Sequence, residues 1–151
     1  MTDVVTVERV IPAPASEIFE LLANPSRHRD IDGSGTVRDP KGDTVERLEL
    51  GSEFGMSMVM GLPYSMKSTV VEFEPDRRIA WQTRGHGIGR GLGGRIWRYE
   101  LEPAEGGTLV RESWDITQES ALTRPLIRRA AKATAKNMAA TLERLEEVLT
   151  A

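Results

Sequence analysis

The sequence has no cysteine and only two histidines, His28 and His86, among its 151 residues. Without cysteine the chain can form no disulfide bond, no thiolate metal site and no thiolate nucleophile. Two histidines exclude a histidine-rich metal centre and leave room only for a site of mixed ligands. We therefore predict that the protein binds no metal ion. We expect His28, which lies between two arginines, at the surface, and His86 in a loop.

Excess charge of one sign and long apolar runs are also missing. The net charge is −3 and the isoelectric point is about 5.5, which argues against a general electrostatic attraction to nucleic acid or anionic lipid. No apolar run approaches the length of a membrane span, and the N-terminal sequence MTDVVTVERVIPAP lacks the basic region of a signal peptide. We expect a cytoplasmic protein with no nucleic-acid partner and no stable membrane insertion.

The composition is that of a single globular domain. Hydrophobic residues make up 39% of the chain and charged residues 28%, which is usual for a folded protein. A chain of this length can bury one sizeable core. We find no linker, internal repeat or low-complexity segment, and we treat residues 1–151 as one domain.

The predicted elements follow an order typical of α+β proteins. Residues 4–11 predict a strand, residues 16–23 have helical spacing, and Asn24-Pro25 could start a second short helix. Residues 30–44 are rich in turn formers, with at most a short strand near residues 36–38. An apolar period of two then predicts about six antiparallel strands, at residues 45–50, 53–60, 64–74, 78–84, 95–102 and 108–117. We expect the long amphipathic helix predicted for about residues 121–149 to cover one face of this curved sheet.

The glycine-rich stretch GHGIGRGLGGRIW contains a match to G-x-G-x-x-G at residues 89–94. That motif binds a dinucleotide only where the glycines open a helix, whose N-terminus receives the pyrophosphate. Here the following residues alternate in polarity and predict a strand, so we predict no dinucleotide cofactor. We interpret residues 85–94 as a hairpin loop, either a mobile turn or a lid whose His86, Ile88 and Leu92 touch a ligand.

Methionine is concentrated on two neighbouring predicted strands, at Met56, Met58, Met60 and Met66. If Gly61-Leu62-Pro63 forms a tight turn, Met58 lies opposite Met66. Methionine suits surfaces that bind varied apolar ligands, but it is also a common core residue, and the sequence leaves both interpretations open.

Three tryptophans and a tyrosine, namely Trp81, Trp97, Tyr99 and Trp114, are predicted to face inward because charged residues occupy the alternate positions of their strands. These side chains are bulky and each has a polar group. Their clustering is compatible with a partly wet cavity and equally with a core in which the polar groups bind the backbone. We take Tyr64, at the start of its strand, as a further candidate.

Glu112 is predicted to lie on the same apolar face as Trp114. A buried carboxylate without a partner is costly, so Glu112 should pair, with Arg128 or Lys132 for example, or lie in a wet cavity. An inward carboxylate is an acid/base candidate, and a structural ion pair is the alternative. In the predicted strand 64–74 the inward positions change parity between Met66 and the pair Val71 and Phe73, which a β-bulge would explain.

The predicted C-terminal helix has small residues on the stripe that faces the sheet, including Ala131 and Thr134, with Met138 following. Small residues either leave space for a ligand or allow close packing. The first half of the helix is basic and the second half acidic, the reverse of the order that interacts favourably with the helix dipole, which indicates that these charges do not serve helix stability.

Five short motifs occur in order along the chain: IPAPASEIF at residues 11–19, NPSRH at 24–28, GSEF at 51–54, VVEFEPDRRIAW at 70–81 and GGTLV at 106–110. Together they resemble the START-like (SRPBCC) superfamily, and within it the polyketide cyclase/dehydrase and lipid transport branch. Ile31 departs from the pattern, because many relatives have tryptophan there. The resemblance implies a helix-grip fold, in which a curved antiparallel sheet wraps around a long C-terminal helix and encloses an apolar cavity.

Function does not follow from this fold alone. The first hypothesis is a binding or carrier protein for a hydrophobic small molecule of lipid, sterol or polyketide type, with no cofactor. The second is a polyketide cyclase or dehydratase-like enzyme that uses Glu112, assisted by Tyr64, Tyr99 or His86. A weaker third is a chaperone co-regulator, and a homodimer is left open. The predicted ligand-binding set is Met56, Met58, Tyr64, Met66, Trp81, His86, Trp97, Tyr99, Glu112, Trp114, Ala131, Thr134 and Met138.

Overall fold

A computed structural model of the chain describes residues 3–31, 37–41, 47–60, 62–85 and 93–150, and at residues 26, 29–30, 37–41, 56–60 and 62–65 it describes the backbone alone. Within these residues seven strands form one antiparallel sheet. The strands are β1 (Val4–Ile11), β2 (Val37–Lys41), β3 (Glu53–Met60), β4 (Leu62–Glu74), β5 (Arg78–Gly85), β6 (Gly93–Ala104) and β7 (Gly107–Asp115). Their order across the sheet is β1-β7-β6-β5-β4-β3-β2, so every strand after β1 pairs with its successor and β7 returns to β1. This confirms the predicted α+β helix-grip fold.

The strand predicted for residues 45–50 is wrong where the structure describes it. Residues 47–50 form irregular chain and a turn, and β2 lies earlier in the sequence. The side chain of Leu48 is fully buried and its N–H donates to the carbonyl of Ala23 at 2.7 Å. Tertiary burial, rather than strand pairing, therefore accounts for the apolar period in this segment.

The predicted bulge in β4 is present. The register shifts between Val70 and Glu72, so that Val70 lies opposite Trp81 whereas Phe73 lies opposite Ile79. Val71, which the sequence suggested as inward, is 38% exposed, and Val70 is buried instead. The extra residue lets both halves of β4 present apolar side chains to the interior.

The C-terminal helix starts later than predicted and is interrupted. Residues 121–123 form a turn, α3 (Arg124–Arg128) follows, and α4 (Ala131–Thr150) begins after a turn at residues 129–130. Across that turn the N–H groups of Arg129 and Ala130 donate to carbonyls three residues earlier, at 3.2 and 2.9 Å. Arg129 also has right-handed helical backbone angles, so the turn tightens the helix locally instead of reversing the chain.

The N-terminal helices are α1 (Ala15–Leu22) and α2 (His28–Ile31), joined by a 3₁₀ turn at Pro25–Arg27. Pro14 precedes α1 in an extended conformation, as expected where a proline-rich segment leads into a helix. Ile18, Phe19 and Leu22 of α1 are fully buried against the sheet. These are the two short helices that the sequence predicted.

The buried apolar residues fall into two clusters. The larger joins α1 to the second half of α4 through Leu142 and Leu145. The smaller contains Trp114, Ile116 and Met138, with Ala131 packed against it, and lies beneath the first half of α4. The two halves of α4 thus pack against different parts of the sheet.

The outer face of the sheet is held by cross-strand ion pairs. Arg98 on β6 binds Glu72 on β4 at 2.6 Å and lies 3.6 Å from Asp115 on β7. Arg78 on β5 contacts Glu72 at 3.3 Å and Glu100 at 2.9 Å. Hydrogen bonding to the Arg98 guanidinium lowers the pKa of Glu72 below its ordinary value, although burial acts in the opposite direction. The charged face is therefore directed away from α4.

Candidate functional site

The inner face of the sheet, directed toward α4, has two cross-strand rows of side chains. The tryptophan row consists of Val70, Trp81, Trp97, Trp114 and Val5, and the Glu112 row consists of Phe73, Ile79, Tyr99, Glu112 and Val7. Both rows run in the order β4, β5, β6, β7, β1. The register therefore brings together the three tryptophans, Tyr99 and Glu112, all of which the sequence placed inward.

Exposure differs along these rows. Tyr99 and Trp114 are buried, with 4% and 3% of their surface exposed, whereas Trp81 and Trp97 are only partly buried. Both partly buried residues are on the central strands β5 and β6, each with a neighbouring strand on either side. In a close-packed interior, a large side chain at such a position beneath a helix would be fully covered. Part of each of these two rings is therefore accessible to solvent.

The aromatic side chains contact one another in two groups. Trp97 and Trp114 lie with ring centroids 6.2 Å apart, and Trp81 lies 5.7 Å from Tyr99. Trp81 also contacts Phe54 of β3 at 5.7 Å in an edge-on arrangement. Such contacts hold the rings in defined orientations and give the face a rigid apolar surface.

His28, which the sequence suggested was a surface residue, is instead buried on the inner face. Its ring stacks on Trp81 at 4.9 Å between centroids, and its Nε2 lies 2.7 Å from the carbonyl oxygen of Leu22. The missed signal is the three-residue spacing of His28 and Ile31, which puts both on one face of α2; Ile31 is also buried. A histidine flanked by arginines has the local sequence of a solvated residue, and the helix that orients it is only four residues long.

Glu112 is buried, with 2% of its surface exposed, and lies between Tyr99 on β6 and Val7 on β1. The suggested pairing with Arg128 is wrong. Arg128 binds Asp3 instead, through two contacts of 2.8 Å, and the side chain of Lys132 is exposed. The Arg128 guanidinium lowers the pKa of Asp3. The basic half of the helix thus directs its charges away from the carboxylate.

Further polar groups lie among these rings. Ser68 on β4 and Thr83 on β5 are buried and share a hydrogen bond of 2.9 Å between their hydroxyl oxygens. Within the described part of the chain, no acceptor lies within hydrogen-bond distance of the indole Nε1 of Trp114, which is itself buried. The inner face therefore combines aromatic surface with polar groups, which fits a molecule that is apolar overall with a few polar substituents.

The helix residues of the predicted set lie over the smaller cluster or beside it. Met138 is buried at 1% and Ala131 packs on the group that contains Trp114. Ala131 and Thr134 are both partly exposed. The small side chain of Ala131 therefore packs against the same cluster as Trp97, which is also partly exposed.

The methionine pairing differs from the prediction. Met56 lies opposite Met66, and Met58 lies opposite Tyr64, because only residue 61 separates β3 from β4. The sequence placed Leu62 and Pro63 in the turn, which shifted the expected register by two residues. The side chains of Met56, Met58 and Tyr64 are outside what the structure describes, as is His86 with the proposed lid; Met66 is partly buried.

A buried carboxylate that the sequence did not reveal holds the segment after β7. Glu119 is 1% exposed and accepts hydrogen bonds from the backbone N–H and the guanidinium of Arg95 at 3.0 and 3.2 Å. Thr123 donates to the same carboxylate. We call residues 116–123 the strap, because they cross the start of β6. The motif glycine Gly94 lies directly beneath it, where an added Cβ would be 2.3 Å from the carbonyl oxygen of Gln118.

Gly93 begins β6, so the glycine motif leads into a strand and not into a helix, as the sequence predicted. Across the described residues, no cluster of three or more acidic or histidine side chains is arranged to hold a metal ion. None of the described helices combines the length and apolarity needed to cross a bilayer.

The chain matches the family model described as polyketide cyclase/dehydrase and lipid transport over residues 2–150. It is 34% identical to an uncharacterized protein of Mycobacterium tuberculosis, Rv0088, over 143 residues, which are 91% of this chain and 60% of that protein. The chain therefore spans about 60% of the length of the curated relatives it matches.

Two solved structures show the same fold. Protein CV1439 from Chromobacterium violaceum superposes with a TM-score of 0.75 at 16% identity, covering 99% of this chain and 98% of that one. The Aha1 dimer from Colwellia psychrerythraea superposes with a TM-score of 0.66 at 17% identity, covering 99% and 96%.

Proposed function

Because the chain belongs to the polyketide cyclase/dehydrase and lipid transport family, we propose that it binds or carries a hydrophobic small molecule between the sheet and α4. The observation on which this rests is the partial exposure of Trp81 and Trp97 in the middle of the inner face. A protein gains nothing in stability from leaving large apolar rings accessible, since burying each would contribute about 1.5–3 kcal/mol. Ligand binding explains why this apolar surface of the two tryptophans stays accessible.

The polar groups of the inner face define the chemical class of the ligand. Trp114 has a buried ring N–H, and Ser68 and Thr83 provide hydroxyl groups. A lipid-, sterol- or polyketide-like molecule has the matching composition, a large apolar body with a few oxygen atoms. The remaining members of the predicted set, including Met66, Tyr99, Thr134 and Met138, supply apolar contacts in this proposal.

The burial of Glu112 favours a second function, that of a polyketide cyclase or dehydratase-like enzyme. The carboxylate lies next to Tyr99 on the inner face, where it could transfer a proton to or from a bound ketone. Glu112→Gln keeps the shape and removes the charge. Turnover lost with ligand binding retained would support the enzyme, whereas turnover unaffected by the substitution would contradict catalysis by Glu112.

The first experiment is native against denaturing mass spectrometry of freshly purified protein. We expect a reproducible excess mass that disappears on denaturation and gives the mass of the ligand. Protein without excess mass is then titrated with a fluorescent apolar probe, 1-anilinonaphthalene-8-sulfonate, under native conditions. Absence of both an excess mass and saturable probe binding would contradict the proposal.

Two alanines of the same helix provide a matched pair of variants for that titration. Ala131 packs over the cluster of Trp114, whereas Ala133 is exposed. Ala131→Phe fills the space beneath the helix, and we expect it to weaken probe binding about tenfold or more, roughly 1.4 kcal/mol. Ala133→Phe adds the same ring on the outside and should leave binding unchanged. Equal effects of the two substitutions would place the probe elsewhere.

A further inference from the structure

Two leucines before α4 are exposed to an unusual degree. Leu122 is 80% exposed and Leu126 is 67% exposed, whereas Ile127 of α3 packs against the cluster beneath the helix. The two leucines are four residues apart, and the Arg124 N–H donates to the Ser120 carbonyl at 2.9 Å, so the turn before α3 has helical hydrogen bonding and the leucines share one side of it. The strap holds them in place, since Thr123 between them binds the buried Glu119.

The same stretch of chain is basic and contains no acidic residue. From residue 120 to residue 142 the sequence has five cations and no Asp or Glu, although the whole chain has a net charge of −3. Arg124 and Arg128 use their guanidinium groups within the protein, on backbone carbonyls and on Asp3. The side chains of Arg129, Lys132 and Lys136 are exposed. A chain that is acidic overall thus has three exposed cations within eight residues of this segment.

The leucines and the exposed cations lie along one side of the helical segment. Leu122, Leu126, Arg129, Lys132 and Lys136 follow at spacings of four, three, three and four residues. Because the turn at residues 129–130 tightens the helix without reversing the chain, this spacing holds across it. We call this side the leucine–lysine face.

We propose that the leucine–lysine face docks on the surface of an anionic lipid bilayer. An apolar pair beside a row of cations is the pattern by which a helix lies in a membrane interface, with leucines among the acyl chains and cations at the lipid phosphates. Two leucines bury little apolar area, so docking is reversible and depends on the anionic lipid. The charge complementarity to phosphate favours a bilayer over a neutral apolar partner.

This docking places the proposed ligand site next to its source. Ile127 and Ala131, which alternate with the residues of the leucine–lysine face, pack on the cluster around Trp114. Membrane docking is nevertheless independent of the proposed function, since it requires no ligand and no cavity. The two can therefore fail separately: probe binding tests the inner face and vesicle binding tests the leucine–lysine face.

The experiment is flotation of the full chain with vesicles of phosphatidylcholine alone or with about 30% phosphatidylglycerol, at low and high salt. We expect binding to the anionic vesicles that is lost at high salt. Leu122→Ser with Leu126→Ser should weaken binding about fivefold or more. Leu50→Ser is the control. Leu50 is also 67% exposed, but it lies in the turn before β3 and is not part of the leucine–lysine face.

The charges are tested in the same way. Arg129→Gln with Lys132→Gln should weaken anionic-vesicle binding about tenfold or more, at roughly 1 kcal/mol for each cation near such a surface. Arg77→Gln with Arg84→Gln, both exposed and outside this face, makes the same change in net charge and should have little effect. Binding that is absent at low salt, insensitive to anionic lipid, or equally weakened by the control variants would overturn the proposal. All substitutions are at exposed positions, and unchanged melting temperatures would verify folding.

Discussion

At the scale of single residues, close backbone contacts decide where glycine is required. Gly94 has φ +115 and an added Cβ would meet the carbonyl oxygen of Gln118 in the strap. Gly51 has φ +85, but an added Cβ would meet nothing within 4 Å. The two glycines have a similar backbone requirement and differ in steric surroundings.

We predict that Gly94→Ala lowers the free energy of unfolding by about 2–5 kcal/mol, because left-handed backbone strain and a clash add together. Gly51→Ala should cost only the backbone part, about 1–2 kcal/mol. Urea denaturation of both variants measures the difference. Equal losses would mean that the strap moves aside without cost.

The residue scale is also where sequence reasoning was least complete. The alternation of charged and apolar residues located Trp97, Tyr99 and Glu112 correctly on the inner face. It could not locate His28, since a buried histidine and a solvated one look alike until the surrounding elements are assembled. The sequence does not indicate the Glu119–Arg95 pair either. The two residues are 24 positions apart and come into contact only when the strap packs across the start of β6.

At the scale of elements, the strap fixes the chain between the sheet and the C-terminal helix. Glu119 has a fully buried side chain, and Arg95 is only 22% exposed. Removing one partner of such a pair leaves a charge poorly solvated, which costs far more than the loss of a surface ion pair.

We predict that Glu119→Gln lowers the free energy of unfolding by about 2–4 kcal/mol, less than the full range for a buried pair because Arg95 keeps some contact with water. Glu53→Gln, which breaks the exposed pair with Lys67, should cost less than about 1 kcal/mol. Thermal and urea unfolding of the two variants are compared. A loss no larger for Glu119→Gln would show that the strap is held by its backbone contacts alone.

Element boundaries followed from the sequence where a single local signal determined them. β4 ends just before Pro75, Gly106 lies in the turn between β6 and β7, and the apolar period located β3 to β7 closely. The turn before β4 was misplaced because Leu62 and Pro63 continue the strand, which local turn chemistry does not reveal. The helix break at residues 129–130 contains no glycine or proline, so no local sequence signal predicts it.

At the scale of the whole molecule, the outer ion pairs link stability to pH. Glu72 has a lowered pKa in the folded state through Arg98, so folding is favoured by this group above the ordinary glutamate pKa of 4.5. That contribution is lost as the pH falls through the lower pKa of the folded state.

We therefore predict that the free energy of unfolding decreases as the pH is lowered from about 5 to about 3, and less steeply in Glu72→Gln. Glu105→Gln alters an exposed carboxylate in the turn between β6 and β7 and serves as the control. Urea denaturation at each pH gives the slopes. The same slope in Glu72→Gln and in the wild type would show that other carboxylates account for the acid sensitivity.

The order of charges along α4 has one further consequence. Lys132 and Lys136 lie in its first half, and Glu143, Glu146 and Glu147 in its second. The side-chain charges therefore point the same way as the peptide dipoles and add to them along a helix about 30 Å long. This helix thus has an electric moment that the net charge of −3 does not describe. In the electric field of a charged surface, this helix therefore experiences a torque before contact. The torque orients one particular end of the helix toward the surface.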